Sequence, residues 1–148
     1  MANQNFRLTW SIENGKFKYE LIKNARKRVD RAINSGFYIE ATALLESLIA
    51  DRLESSIENK TGETQKVQNL GPLVKIAISH SIISEDFAAD IRGWSNNRAK
   101  VVHEMVKVSN KNSGNWRERI AFARVLAIEG KEILRKLELI SRQYRPKR

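Results

Sequence analysis

Hydrophobic positions in this chain recur mostly at steps of three and four, the period of an amphipathic helix. The start is the exception: Phe6, Leu8, Trp10 and Ile12 alternate with polar residues, which is a strand period. A lone strand in a helical chain has nothing to pair with, so this spacing predicts an N-terminal arm over about 1–14. A first helix over 16–35 is marked by Phe17, Leu21, Ala25, Val29, Ala32 and Ile33, and Gly36 offers a left-handed stop. The widest apolar stripe lies over 37–60, where Phe37, Ala41, Leu44, Leu45, Leu48, Ile49, Leu53 and Ile57 share one side. Residues 59–69, around Gly62, read as a polar loop.

Pro72 suits the first position of a short helix over about 73–81, where its missing N–H is not needed. Ser84 is a natural N-cap for a helix over about 85–108, with Glu85 and Asp86 in the first turn and Gly93 as a bend or point of close approach. After a loop over 110–115, a last helix spans about 116–142 with Ile120, Ala123, Ala127, Gly130, Leu134, Leu137 and Ile140 on one side. A basic tail follows over about 143–148. The expectation is an all-α single domain over 1–148. It would be an up-and-down helical bundle of about four main helices plus one short helix.

Composition narrows the chemistry. The chain has 148 residues and no Cys, so disulfides and thiolate metal sites are excluded. Two His cannot build a three-His zinc site; a mixed carboxylate site stays open in principle, although no metal cluster or cofactor motif is visible. No run approaches the roughly 18 apolar residues of a membrane span, and the start lacks a signal-peptide core. A cytoplasmic protein without membrane partners is therefore expected. Lys and Arg exceed Asp and Glu by 27 to 17, a formal net charge of +10. That excess favours an acidic partner, most often nucleic acid. On the first helix Lys23, Arg26, Lys27 and Arg31 form a basic face that either tracks a nucleic-acid backbone or keeps the protein soluble.

Phosphate loops, nucleophile elbows and His-Glu-x-x-His are absent. One segment stands out, Trp94-Ser-Asn-Asn-Arg-Ala-Lys-Val-Val-His-Glu-Met105. Asn96 and Asn97 are poor helix formers in mid-helix, and such local conflict tends to mark function. Asn96 and His103 are seven residues apart and share a helix face. Arg98 and His103 are five apart, about 140° around the axis, yet an Arg can swing towards the same groove. Lys100 adds charge beside His103. Arg supplies a planar charged donor set for a phosphate, and His exchanges a proton near neutral pH. Glu40 and Glu46 on the second helix are within reach to orient Arg98, although a solvated face is the simpler reading of both. Trp94, Val101, Met105 and Val108 read as packing, as do Trp10 and Trp116, and His80 as a structural His at a helix end.

Arg98-Ala-Lys-Val-Val-His103 resembles the Arg-x4-6-His signature of HEPN domains, small all-helical proteins of which many act as RNases. The layout of the helices before and after the motif is similar over about 16–142. The resemblance implies a HEPN-like bundle and a homodimer whose two motifs face each other across the two-fold axis. It also implies metal-independent RNA cleavage through attack of the 2′-OH on its own phosphate. His103 would act as general base or acid, and Arg98 would stabilise the phosphorane. Asn96, Asn97 and Lys100 would support them. A toxin or phage-defence role, with an antitoxin partner, is the family setting. Two positions depart from the pattern: Ala99 stands where active members are typically polar, and Met105 where some toxins carry a modifiable Tyr. A non-catalytic RNA- or nucleotide-binding module, or a helical dimeric interaction protein, is the alternative.

Overall fold

The computed structural model describes residues 12–65, 69–108 and 114–145. Five helices fill most of this: α1 (Ile12–Asn34), α2 (Tyr38–Thr61), α3 (Leu70–Ser79), α4 (Glu85–Glu104) and α5 (Trp116–Arg142). Together they form an all-α helical bundle, with no strand among the described residues. The expected arm lies outside the described residues as far as residue 11, as does the tail from residue 146.

The bundle is organised around α2, because its apolar residues recur at every turn. Ala41, Leu45, Ile49, Leu53 and Ile57 are fully buried there. Its neighbours are α1, α3, α4 and α5. The α1–α2 corner is a Schellman stop. Gly36 has φ +81, its N–H donates to Ile33, and the Phe37 N–H donates to Ala32. The chain thus reverses, and α1 returns antiparallel with Lys18 against Asp51 and Arg28 against Glu40. In contrast, α5 runs in the same direction as α2. Gly130 lies against Leu45 near one end, and Tyr144 lies beneath the Lys60 ammonium at the other.

Four expectations are corrected. Phe17 and Leu21 are 58% and 53% exposed, and α1 packs instead through Ile22, Ala25, Val29 and Ala32. Pro72 is the third residue of α3, not the first. Its missing N–H still costs nothing there, since the first four N–H groups of a helix lack an intrahelical acceptor. Trp116, read as a packing anchor, is 61% exposed. Finally α4 ends at Glu104, so Val108 falls outside the seam that Trp94 and Met105 join, and is 86% exposed.

The early stop of α4 has a visible cause. The Arg119 guanidinium donates to the carbonyls of Glu104 and Met105 at 2.7 and 3.0 Å, and to Gly114 at 2.7 Å. A cation here satisfies carbonyls left open at a helix C-terminus and complements its negative dipole end. On α5, Asn115 caps the N-terminus by accepting the Glu118 N–H at 2.9 Å.

Candidate functional site

Ala88, Ile91 and Trp94 turn one side of α4 into the core. Arg98 lies one turn beyond Trp94 and so falls on the inward flank, next to α2. Its Nε lies 2.5 Å from Glu46 Oε2, with the two side chains 23% and 28% exposed. Both atoms are shut off from solvent and neither makes an aligned hydrogen bond, so charge alone holds them together. Of the two carboxylates within reach in the sequence, Glu46 holds Arg98, while Glu40 pairs with Arg28 at 2.9 Å. Ala43, Ser47, Ala50, Asn69 and Leu70 complete a small cleft of about 220 Å³ around the pair.

His103 sits in the last turn of α4 and is exposed. Asn96 and Lys100 are exposed with it on the outer side of the helix. Asn97 falls on the flank facing α5, where it lines a cavity of about 310 Å³ with Lys100, Val101, Met105, Arg119 and Phe122. Asn96 also borders a cleft of about 360 Å³ towards Pro72 and Lys75 of α3. The structure therefore groups Asn96, Lys100 and His103. It sets Arg98 on the α2 side and Asn97 on the α5 side. None of these cavities holds both Arg98 and His103, and the swing that would join them is opposed by the Glu46 contact.

The α1 cations divide as well. Lys23, Lys27 and Arg31 are exposed, whereas Arg26 is drawn against Glu138 of α5. Lys23, Arg26 and Lys27 line a groove of about 740 Å³ with Lys18, Arg52 and Arg145. This groove uses Arg52, Ser55 and Asn59 of α2, while the Arg98 cleft uses Ala43, Glu46 and Ala50, so they occupy different flanks of that helix.

Glu54 lies on α2, one turn beyond Ala50 of the Arg98 cleft. Burial pushes its carboxyl above the usual carboxylate range, Glu58 and Asp51 push it further, and Lys18 opposes them. A carboxyl raised in the folded state favours folding when protonated and opposes it once ionised. Glu54→Gln is therefore expected to raise the melting temperature at pH 7. The gain should vanish as pH falls below the ordinary carboxylate range, which melting curves across that range would check.

Arg119 escaped the sequence reading. Nothing in its own neighbourhood separates it from a surface Arg, because its acceptors at Glu104 and Met105 come from the preceding helix. Among the described residues no helix is long and apolar enough to cross a membrane. Across known proteins, no family model, no characterised sequence and no solved structure matches this chain.

Proposed function

We propose that the chain is a metal-independent endoribonuclease of HEPN type. It would act as a homodimer on cytoplasmic RNA, in a toxin or phage-defence setting with an antitoxin partner. The observation that carries this reading is the outer side of α4, where Asn96, Lys100 and His103 stand exposed together on the helix that also carries an anchored Arg98. His103 takes the proton from the RNA 2′-OH, and the 2′-oxygen attacks phosphorus. The P–O5′ bond breaks, and the departing oxygen takes up a proton. The products are a 2′,3′-cyclic phosphate and a 5′-OH end. Arg98 stabilises the charge that builds on the phosphorane.

Within one chain Arg98 and His103 diverge, so the reading needs a second copy to bring base, acid and cation to one groove. Val102 of α4, Val106 just past its end and Phe122 of α5 are 44%, 85% and 45% exposed, and this apolar exposure around the end of α4 supports a partner. The test is RNA cleavage in excess EDTA, with the ends mapped and DNA as control. Cyclic phosphate ends with DNA intact are expected, since DNA lacks the nucleophile. A second reading, a binding module without chemistry, is favoured by Ala99 and by the hold of Glu46 on Arg98. Under it RNA is retained but left uncut.

A further inference from the structure

The cations of α5 drew no attention in the sequence, yet they form a row. Arg117, Arg124, Lys131, Arg135 and Arg142 follow one another at steps of seven and four, which keeps them on one face, and all are exposed. Lys16, Lys23, Lys27 and Arg31 follow the same steps on α1 and are exposed too, interrupted by Glu20. The two helices run antiparallel, tied by Asp30 to Lys131 at 2.7 Å and by Arg26 to Glu138. The rows therefore flank one seam where the helices overlap, and the α5 row continues past the end of α1 to Arg117.

The floor of the seam is aliphatic: Val29, Ile33, Leu45 and Leu48 lie beneath a trough of about 630 Å³. That trough shares Arg26 and Asp30 with the basic groove further along α1, which makes the band continuous towards Arg145. The acids of the trough are already engaged. Asp30 is taken by Lys131 and Glu138 by Arg26, and hydrogen bonding from Arg135 holds the Glu132 carboxyl below its ordinary range. Lys23, Lys27, Arg31, Arg117, Arg124 and Arg142 make no ion pair among the described residues, so their charge faces solvent.

We infer that the α1–α5 seam is a nucleic-acid backbone-binding band, separate from the α4 face that carries His103. From Arg117 to Arg142 the row runs about 38 Å at helix rise, a length over which one strand of a duplex carries about eleven phosphates. A low-dielectric floor between rows of one sign focuses their field. The trough is lined by aliphatic side chains, paired acids and cations, which suits contact with phosphates more than a reading of base sequence. The inference rests on the nucleic-acid part of the proposed function and not on its chemistry.

The experiment is fluorescence anisotropy with a labelled single-stranded RNA of mixed sequence, across a salt series, on the full chain. Lys23→Gln, Lys27→Gln and Arg124→Gln are combined in one variant, and Lys136→Gln, exposed on another face of α5, forms a control outside the band. The triple variant should bind about tenfold or more weakly, and its log-affinity against log-salt slope should flatten by about 2. The control should match the parent. A triple variant that binds like the parent overturns the band while leaving RNA binding elsewhere intact. Equal competition by polyglutamate at equal charge reassigns the surface to an acidic protein and also overturns it. A parent that binds no RNA at low salt removes the band together with the nucleic-acid reading.

Discussion

His103→Ala is expected to slow RNA cleavage by about 10²–10⁴ and to leave the fold and RNA affinity as they are. The side chain is exposed in the last turn of α4, so its removal opens no cavity. The rate should fall through the lost proton transfer alone. Arg98→Ala is expected to cost about 10²–10³ in rate, as for one donor lost at a developing anion. It carries a second effect that His103→Ala does not. Glu46 Oε2 is shut off from solvent against Arg98 Nε, so truncating the Arg strands a carboxylate. The single variant should lose stability as well as rate, and Glu46→Ala added to it should recover stability without rate. Full cleavage by His103→Ala would place the chemistry on other residues.

The parts of this fold that were legible are those in which one helix decides its own pattern. The stripe of α2 is written in every turn because the helix is surrounded, and its ends fall within a residue of the expectation. The start of α5 is equally local, since Asn115 caps it from the adjoining position. The end of α4 was not legible, because it is fixed by the guanidinium of Arg119, in the next helix. Likewise Phe17 and Leu21 satisfy a helical period, yet α1 meets α2 through a face rotated towards Ile22 and Val29. Two helical periods were open in that segment, and only the neighbour chooses between them. The divergence of Arg98 and His103 was readable from their spacing. The carboxylate that captures Arg98 was not, since Glu40 and Glu46 both lie on α2 and only the position of α4 against α2 separates them.

Trp94→Ala is expected to cost about 3–5 kcal/mol, a large share of the stability of a domain of this size. The indole is 3% exposed, and its Nε1–H donates to the Leu126 carbonyl at 2.7 Å, so the truncation loses packing and a buried hydrogen bond together. What admits the indole is Gly130 on α5: a Cβ there would meet Trp94 Cζ2 at 2.7 Å and Leu45 Cδ1 at 3.0 Å. Gly93, the other candidate for a close approach, has open space around it. Gly130→Ala should therefore destabilise by about 1–3 kcal/mol through overpacking, even though Ala favours a helix over Gly by about 1 kcal/mol. The two sites touch, so their effects should not add. Trp94→Phe removes the ring atoms that collide, and Gly130→Ala introduced beside it should cost less than in the parent. Urea unfolding followed by circular dichroism reads all four chains, and an additive pair would mean that Trp94 does not rest on Gly130. Arg98 lies one turn beyond Trp94 on the same helix, so this contact also sets the height of α4 against Glu46. In the Trp94→Ala chain, RNA cleavage should fall under conditions where the helices remain folded.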